Sequence, residues 1–339
     1  MRRCMPVCWP RPASAKVVVL TTRWFHRRSL PRSDRTGCLA GGDVKRHQMS
    51  GLTVVVIGAT GQFGRAMMRA VEATPGWHAV GLGHADVDVT DAASVGNALA
   101  VPHDVVVNAT VWHGPAQEDP VMALRVNALG ARVVADHASS RGTTCVTIST
   151  DYVFDGDATR PYREDDPVNP RSVYGISKAT GEALVRASTP KHLIVRVASL
   201  FDIGGSRAKG NSTFVSTMLA NARAGKPLRV VADQFHSPTY APDAASTVVR
   251  LLEAGVTGTV HVTNRGWCSW YGFAEAIFAV AGIRADLTPS RLADLPSGPP
   301  RPRYSVLAHG ALRDADIVSP RPWQEALRDY LERESAGSS

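Results

Sequence analysis

Cysteine is scarce in this sequence. Three of its five cysteines, Cys4, Cys8 and Cys38, lie within the first 50 residues, which leaves only Cys145 and Cys268 in the remainder. Secreted domains that depend on disulfides carry dense, paired sets of cysteines instead. The count therefore argues against a disulfide framework and predicts a protein of the reducing cytoplasm.

Long hydrophobic runs are also missing. No apolar stretch approaches the ~20 residues that a membrane-spanning helix requires. The run from Val17 to Leu20 is too short for a signal-peptide core of ~7–15 residues. A chain of 339 residues can hold one large α/β domain or two smaller ones. We therefore expect a globular protein with no membrane partner.

Acidic residues are rare only near the N-terminus. The chain has 38 Lys and Arg against 30 Asp and Glu, but residues 1–50 hold eleven of the basic and two of the acidic residues. The rest therefore carries 27 basic and 28 acidic residues. Because the body is not basic, the net charge of +8 does not indicate a nucleic-acid partner for it.

Residues 1–50 form a basic, proline-containing leader. We expect this leader to be disordered and non-essential, and it could be upstream sequence ahead of a true start at Met49. An organelle transit peptide and a nucleic-acid-binding arm are the alternatives. The disordered leader is favoured because the first clear strand begins only at Thr53.

Residues 53–57 are a continuous β-branched run, which predicts a buried parallel strand. The run leads into a GxxGxxG motif at Gly58, Gly61 and Gly64, followed by a helical segment to about Glu72. Glycines let the backbone approach a pyrophosphate, and the helix N-terminus supplies N–H donors. The motif therefore predicts a dinucleotide site, with a plain strand-to-helix turn as the weaker alternative.

The second predicted strand, 78–82, bears on the choice of cofactor. An acidic residue commonly ends this strand where the ribose carries no 2′-phosphate. Here Leu82 is followed by Gly83 and His84, with no acid before Asp86. Arg65, directly after the last glycine, is a candidate for contacting a phosphate. The pattern favours NADPH and leaves NADH open.

Further buried runs complete the predicted sheet. Residues 104–109 end in Asn108-Ala109-Thr110, where ligands bind in open α/β sheets. A helix predicted over 121–137 contains Asn127, which either bridges elements or supports catalysis. Alternation of strand and helix predicts a doubly wound parallel α/β sheet of the Rossmann type.

The stretch 149–178 carries the chemistry. Tyr174 and Lys178 lie four residues apart, so they share one face of a helix. A nearby ammonium would lower the pKa of the tyrosine and let it act as a general acid or base near neutrality. A hydroxyl from Ser149 or Thr150 would hold the oxygen being protonated. These residues predict reduction of a carbonyl by a hydride donor.

The second half of the chain contributes candidate binding residues. After a strand at 193–198, the segment 202–211 is predicted to be a mobile loop over the substrate. Asn211 and Phe214 open an amphipathic helix, and Phe214 either stacks on a nucleobase or packs in the core. His236 is interpreted as a surface histidine. Arg301 and Arg303 are candidates for binding a pyrophosphate, with a solvated basic turn as the alternative.

Longer motifs narrow the chemistry. The glycine motif and YxxxK together resemble the extended short-chain dehydrogenase/reductase superfamily. STDYVFDG, PYREDDPVNPRSVYGISKATGE, LRVVADQFHSPTYAPDAA, HVTNRGWCSWYGFAEAIF and RPRYSVL, taken in order, resemble the family of dTDP-4-dehydrorhamnose reductases over residues 52–332. The resemblance implies a Rossmann-type sheet with a smaller mixed α/β substrate-binding lobe towards the C-terminus.

The resemblance also assigns roles to residues. The implied catalytic trio is Thr150, Tyr174 and Lys178, and Tyr174 and Lys178 are also implied to bind the cofactor. Asp88 and Val89 map to the adenine side, which favours binding over a helix cap. The other implied or inferred cofactor-binding residues are Gly58, Gly61, Gln62, Phe63, Gly64, Arg65, Asn108, Ala109 and Thr110. The substrate-binding candidates are Thr150, Asp151, Tyr152, Ser199, Asn211, Phe214 and Arg301.

Two departures from the family pattern lie near the expected sugar pocket. The loop after Asn108-Ala109 is altered over 110–119, and serine stands at Ser199 where the family often has tryptophan. They leave reduction as the expected reaction and bear on which sugar is reduced.

The domain expectation follows from the same segments. Residues 51–205 are expected to form the NAD(P)-binding domain, with contributions from 228–264, and residues 206–334 to form mainly the substrate-binding lobe.

Some family members are associated with magnesium, but no ligands can be assigned in this sequence, so no metal site is predicted. A homodimer is compatible with the sequence.

The resemblance therefore implies a cytoplasmic NAD(P)H-dependent reductase that converts dTDP-4-dehydrorhamnose to dTDP-L-rhamnose, a precursor of the cell envelope. One alternative is the same chemistry on another dTDP-4-keto-6-deoxyhexose. The other is a non-catalytic NADP-binding subunit similar to the regulatory subunit of methionine adenosyltransferase, which resembles the same family.

Overall fold

The structure is a computed structural model that describes residues 51–113, 115–205, 210–296 and 298–336. The expectations for the leader, residues 1–50, lie outside the described residues, and so does part of the predicted loop, 206–209. No helix of the described ranges is long and apolar enough to cross a membrane.

Strands alternate with helices through the first half of the described chain. The strands are β1 (Thr53–Ile57), β2 (His78–Leu82), β3 (Val105–Asn108), β4 (Thr144–Thr150), β5 (His192–Val197), β6 (Leu200–Phe201), β7 (Leu228–Val231), β8 (Phe235–His236), β9 (Thr239–Tyr240), β10 (Gly258–His261), β11 (Cys268–Ser269) and β12 (Leu287–Ser290). The α-helices are α1 (Gln62–Glu72), α2 (Ala92–Ala98), α3 (Pro120–Leu124), α4 (Ala131–Arg141), α5 (Val173–Ser188), α6 (Phe214–Arg223), α7 (Ala241–Glu253), α8 (Trp270–Ala281), α9 (Gly310–Asp314) and α10 (Trp323–Ala336).

Six strands form the central sheet in the order β10-β5-β4-β3-β1-β2, and every pairing is parallel. The chain moves outward from β1 to β2 and then returns to add β3 on the other side. The point between β1 and β3 is therefore the topological switch point, where open parallel sheets bind ligands. The predicted doubly wound parallel fold is confirmed.

Residues of β1 face both sides of the sheet in alternation. Val54 and Val56 join a core with α1 and α7, whereas Val55 and Ile57 join a second core with α2, α4 and α5. Both faces are covered, so the strand consists entirely of apolar or β-branched residues. Helix α1 places Phe63, Met67 and Val71 on one buried face at four-residue spacing.

The helix predicted over 121–137 is interrupted. Between α3 and α4 lies a π-helical segment, Arg125–Gly130. A π-turn widens the helix locally and is common at functional sites. Here it contains Asn127, and α5 approaches so closely that a Cβ on Gly181 would collide with the Asn127 carbonyl oxygen. The sequence prediction of one regular helix was therefore wrong over these six residues.

A smaller C-terminal core lies between α6, α8 and α10 and includes Phe201, Leu219, Phe273 and Trp323. Strand β7 pairs with β12 in a separate two-stranded sheet, whereas β10 belongs to the central sheet. Within the segment 228–264, therefore, β10 and its preceding helix α7 pack with the large sheet and β7 does not.

The interpretation of His236 as a surface histidine is wrong. Its side chain is buried in β8, stacked on Trp270 with ring centroids 3.9 Å apart, and neither ring nitrogen has a hydrogen-bond partner. Strand β8 pairs with β11, which runs directly into α8, so this helix covers the ring. Short strands of two residues carry too little pattern to reveal such burial from sequence.

Buried histidines predict a fold that loses stability in acid. Burial lowers the pKa of His236 and His261 to about 3 and that of His309 to about 4. Unfolded histidine protonates near pH ~6.5. Below that pH the unfolded chain takes up protons that the folded chain does not, so the free energy of unfolding falls by about 1.4 kcal/mol per pH unit for each histidine.

Urea unfolding measured between about pH 7.5 and about pH 5 checks this prediction. His236→Phe keeps an aromatic ring against Trp270 and removes two unpartnered nitrogens. We expect this variant to lose less stability on acidification and to be at least as stable as the parent near pH ~7.5. The same change at the exposed His78 is the control. Equal pH slopes for His236→Phe and the parent would contradict the prediction.

Candidate active site

The glycine turn lies at the switch point of the sheet. Gly58 has a left-handed backbone with φ of 82°, and a Cβ there would lie 3.0 Å from the Ala109 carbonyl. A Cβ on Gly64 would collide with the Gly58 carbonyl oxygen. Only glycine allows these approaches. The N–H groups of Gly58 and Gly61 are engaged by the carbonyl oxygens of Leu82 and Gly58, so the N–H groups that the turn presents to an anion are those of the first turn of α1.

Gln62 and Phe63, between Gly61 and Gly64, differ in the groups that could contact a cofactor. The Gln62 side chain is half-buried and its amide nitrogen has no hydrogen-bond partner. The Phe63 side chain is buried in the core between α1 and the sheet. Phe63 can therefore serve a cofactor only through its backbone, whereas Gln62 has a free donor. This unused buried donor and the glycine cradle fit a dinucleotide.

Arg65 does not lie free beside the turn. Its guanidinium donates to the carbonyl oxygens of Thr60 at 2.7 Å and Gly205 at 2.9 Å. These bonds hold the start of the predicted substrate loop against α1, together with an ion pair from Arg69 to Asp202 at 2.7 Å. Contact of Arg65 with a phosphate stays a prediction, and it would replace bonds that the structure already shows.

An acidic group does stand at the end of β2. The Asp86 carboxylate accepts a hydrogen bond from the Gly83 N–H at 2.7 Å, so the chain folds back and brings this acid to the strand end. Sequence spacing had placed it too far along the chain. The position is the one where Rossmann-type sheets hold the adenosine ribose.

Asp88 lies further along the same edge and is not the helix cap. Its carboxylate accepts from the Thr90 N–H and hydroxyl at 2.9 and 2.8 Å, and these hydrogen bonds lower its pKa. Asp91 instead caps α2, accepting from Ala93 N–H. Val89 is buried in the core.

Asn108 closes the end of β3. Its side-chain oxygen accepts from the Thr110 N–H at 3.1 Å and from the Thr110 hydroxyl at 2.6 Å. This turn keeps Ala109 against Gly58 and holds both strand ends at the same edge. The three residues therefore lie at the switch point, beside the glycine turn.

Thr150 and Tyr174 meet at the end of β4. Thr150 is the last residue of the strand, and its hydroxyl lies beside the phenol of Tyr174, where it acts to lower the pKa of that phenol. Ser172 caps α5 by accepting from Gly175 N–H at 3.1 Å, which places Tyr174 in the first helical turn. A Cβ on Gly175 would collide with the Tyr152 carbonyl oxygen, so glycine lets α5 pack directly on the strand end.

Lys178 follows one turn later, buried, with its ammonium donating to the Ile148 carbonyl oxygen. Burial lowers its pKa to about 8, although the charge of Glu182 acts in the opposite direction. The structure thus brings the predicted trio of Thr150, Tyr174 and Lys178 to one place.

The expected lowering of the Tyr174 pKa is not observed. Burial raises the pKa above its usual value, the nearby Asp151 adds to the rise, and the hydrogen bond from Thr150 only partly offsets it. The Lys178 ammonium is engaged by a carbonyl instead. Tyr174 is therefore a neutral phenol over the physiological pH range, which is the form that can donate a proton.

Two side chains that follow Thr150 lie close to it. Asp151 is buried and accepts a hydrogen bond from the Thr150 hydroxyl at 3.0 Å, and burial raises its pKa to about 6. The Tyr152 ring lies edge-on to Tyr174 with centroids 5.9 Å apart. Burial raises the pKa of Tyr152 to about 12, and the charge of the exposed Arg301 partly offsets this rise.

The remaining substrate candidates are more scattered. Ser199 follows β5 with a left-handed backbone, φ 44°, and its carbonyl accepts from Thr239 N–H. Asn211 is exposed and also left-handed, φ 60°. Phe214 begins α6 and packs on Trp270, with ring centroids 4.7 Å apart, so its contacts in the structure are those of core packing.

His113 contacts Tyr174, although its sequence context predicted no role for it. The His113 ring meets the phenol ring edge-on with centroids 4.9 Å apart. It lies in the loop that departs from the family pattern, and no residue spacing indicated the contact.

Asn127 holds the preceding loop residue on both backbone groups. It accepts from Trp112 N–H at 2.8 Å and donates to the Trp112 carbonyl at 2.9 Å. It also donates to the Ser177 hydroxyl on α5. Of the two roles left open by the sequence, the structure shows the bridge.

No group of three or more His, Cys, Asp or Glu side chains that could hold a metal ion occurs in the ranges described above. The structure therefore gives no support to a magnesium site in that part of the chain.

Comparison with known proteins agrees with this geometry. Residues 52–336 match the family described as RmlD substrate binding domain. The spore coat polysaccharide biosynthesis protein SpsK of Bacillus subtilis is 39% identical over 286 residues, covering 84% of this chain and 98% of the relative. The dTDP-4-dehydrorhamnose reductase of Streptomyces griseus is 35% identical, covering 81% of this chain and 91% of the relative.

Solved structures show the same fold. A dTDP-4-dehydrorhamnose reductase from Clostridium acetobutylicum superposes with a TM-score of 0.79 at 35% identity, covering 84% of this chain and 100% of that one. The Bacillus anthracis enzyme, solved in complex with NADP, gives 0.78 at 30% identity, covering 84% and 99%. The chain belongs to the RmlD substrate binding domain family, the family of the dTDP-4-dehydrorhamnose reductases.

Proposed function

We propose that this protein is an NAD(P)H-dependent reductase that converts the 4-keto group of dTDP-4-dehydrorhamnose to the hydroxyl of dTDP-L-rhamnose. The observation that carries the proposal is the placing of the Thr150 hydroxyl beside the Tyr174 phenol, one helical turn from the buried Lys178. The pair lies at the carboxyl edge of the sheet, where the glycine turn also lies.

The cofactor would occupy the switch point and supply the hydride to the sugar carbon. Gly58, Gly61 and Gly64 would let the pyrophosphate approach the turn, and the N–H groups at the start of α1 would hold it, with Gln62 donating its unused amide. The other proposed contacts are Phe63 through its backbone, Arg65, Asp88, Val89, Asn108, Ala109, Thr110, Tyr174 and Lys178.

The protein's own residues would supply the proton and the orientation. Tyr174, held neutral by burial, donates its phenolic proton to the carbonyl oxygen as the alkoxide forms. The Thr150 hydroxyl hydrogen-bonds to the same oxygen and fixes its position. Lys178 holds the ribose hydroxyls, and its positive charge stabilises the phenolate that remains until solvent returns the proton.

The substrate is proposed to lie against the C-terminal lobe. Tyr152, next to Tyr174, and the exposed Arg301 provide an aromatic face and a positive charge for a sugar nucleotide. Asp151, Ser199, Asn211 and Phe214 complete the proposed set. In this proposal, residues 51–205, with parts of 228–264, bind the cofactor and residues 206–334 mainly bind the substrate.

The state of the cysteines bears on the compartment of the reaction. The described cysteines, Cys145 and Cys268, are both free thiols, which favours the reducing cytoplasm as the place of the reaction. A homodimer stays a prediction that analytical ultracentrifugation would test.

A related sugar is the second candidate substrate. A relative from Streptomyces antibioticus is named a probable dTDP-4,6-dihydroxy-2-methyloxan-3-one 4-ketoreductase, and one from Streptomyces niveus a dTDP-4-keto-6-deoxy-D-glucose reductase, each 35% identical to this chain. The altered loop that carries His113 against Tyr174 favours this candidate, because it changes the pocket wall beside the acid.

Turnover decides between these candidates and a non-catalytic subunit. We expect the purified protein to oxidise NADPH in the presence of dTDP-4-dehydrorhamnose, followed by the loss of absorbance of the reduced nicotinamide. Reaction with other dTDP-4-keto-6-deoxy sugars alone would replace the rhamnose assignment. Tight NADPH binding without turnover of any of these sugars would favour the regulatory subunit.

Tyr174→Phe removes the proposed acid and keeps the ring that packs against Tyr152 and His113. We expect kcat to fall by about 10²- to 10⁴-fold, the usual contribution of general acid catalysis, while NADPH affinity changes little. Stopped-flow turnover and fluorescence titration measure the two quantities. Normal turnover of the variant would show that another group donates the proton.

Asp86 should influence the choice of cofactor. We propose NADPH as the preferred cofactor, with NADH accepted because the Asp86 carboxylate reaches the end of β2. Asp86→Ala removes a charge that would repel a 2′-phosphate, so the kcat/KM ratio of NADPH over NADH should rise by about tenfold. Asp91→Ala, which removes only the cap of α2, is the matched control. An unchanged ratio would exclude Asp86 from the ribose site.

A further inference from the structure

A buried carboxylate lies directly behind the proposed catalytic residues. Glu182 is on α5, one turn after Lys178, and is 1% exposed. One carboxylate oxygen accepts from the Ser149 hydroxyl at 2.6 Å and from Arg196 Nε at 2.9 Å, and the other accepts from Arg196 Nη2 at 2.7 Å. Glu182 thus joins α5 to both β4 and β5.

Each of its partners is adjacent to a residue of the site. Ser149 immediately precedes Thr150 on β4, and its hydroxyl is committed to Glu182, which leaves Thr150 as the hydroxyl that meets Tyr174. Arg196 lies opposite Ser149 in the register of β4 and β5. The Arg196 guanidinium lies over the Phe154 ring, with its Cζ 5.1 Å from the ring centroid.

We propose that Glu182 is a positioning residue for the reduction: it locks the strand that carries Thr150 to the helix that carries Tyr174 and Lys178, and it places a negative charge one helical turn from the Lys178 ammonium. The inference rests on the proposed function. A buried ion pair is weak evidence for stability alone, so its place between these elements is what argues for a functional role.

The charge argument follows from the burial of Lys178. Its ammonium donates a hydrogen bond to the Ile148 carbonyl oxygen, and burial lowers its pKa to about 8, with the charge of Glu182 opposing the decrease. Burial would raise the pKa of Glu182 itself, but the hydrogen bonds and charge of Arg196 outweigh it and the carboxyl stays ionised.

Other ionisable groups around this carboxylate come from three further directions. Arg186, one turn along α5, contacts the carboxylate oxygen that Arg196 Nη2 also contacts, at 2.8 Å, and its own side chain is partly exposed. From β10, His261 contacts Arg196 Nη1 at 3.3 Å, and burial lowers its pKa to about 3, so it is neutral. After β4, Asp151 hydrogen-bonds Thr150. The charges of Arg186 and Arg196 therefore offset that of Glu182, and Lys178 lies one helical turn before it on the same face of α5.

The test compares two changes at one position in the full chain. Glu182→Gln removes the charge, and Glu182→Asp shortens the side chain but keeps the charge. We expect the alkaline midpoint of kcat/KM for NADPH, near pH ~8 in the parent, to move down by about one unit in Glu182→Gln and to stay in place in Glu182→Asp. NADPH affinity, titrated by fluorescence over the same pH range, should show the same pattern.

Ser149→Ala tests the other half of the proposal. It removes the tie between β4 and Glu182 without changing any charge. We expect kcat to fall by about two- to tenfold, with the KM values and the alkaline midpoint nearly unchanged. Asp136→Asn makes the same acid-to-amide change in the exposed Arg132–Asp136 pair on α4, and should alter neither quantity.

The outcomes separate this inference from the function on which it rests. If the parent turned over none of the sugars, the proposed function would fail, and the pH dependence of NADPH affinity would still decide the role of Glu182. Equal midpoints in Glu182→Gln and the parent, or equal shifts in Glu182→Gln and Glu182→Asp, would overturn it. Should Glu182→Gln not unfold cooperatively on heating, the double variant Glu182→Gln/Arg196→Met, which leaves no buried guanidinium unpaired, replaces it.

Discussion

The parallel register of β1, β3 and β4 is the constraint on which the site depends. Ile57 pairs with Asn108, and Asn108 pairs with Thr147, so β1 and β3 end at the same level and β4 continues three residues further. The glycine turn and the Asn108 turn therefore lie side by side, and Thr150 projects beyond them. A shift of one residue in this hydrogen-bonded ladder would move each strand's side chains to the opposite face.

Close backbone contacts then bring the helices to these strand ends. Gly64 lets α1 start against the glycine turn, and Gly175 and Gly181 let α5 lie on the backbones of Tyr152 and Asn127. At such separations there is no room for water, so the polar side chains between the elements must satisfy one another. The Glu182 carboxylate and the Asn127 amide do so, and each connects α5 to a different part of the sheet edge.

The same burial determines the charges of the proposed catalytic groups. Taking Tyr174 and Lys178 out of water favours the neutral form of both, which raises the pKa of the phenol and lowers that of the ammonium. A phenol that remains protonated suits a proton donor, whereas a lysine that loses its charge near pH 8 needs a counter-charge. The interior of the protein thus creates the requirement that Glu182 meets.

Much of this protein could be predicted from its sequence. The apolar run at 53–57, the glycine spacing and the four-residue separation of Tyr174 and Lys178 are local patterns, so they indicated the sheet, the turn and the shared helical face. Motif resemblance identified the family.

Tertiary structure decided what local patterns do not encode. Contacts between distant segments buried His236 under α8, returned Asp86 to the end of β2, placed His113 against Tyr174 and joined Glu182 to β4 and β5. Burial and charge partners depend on which elements meet across the fold, and the spacing of residues along one segment carries no record of that.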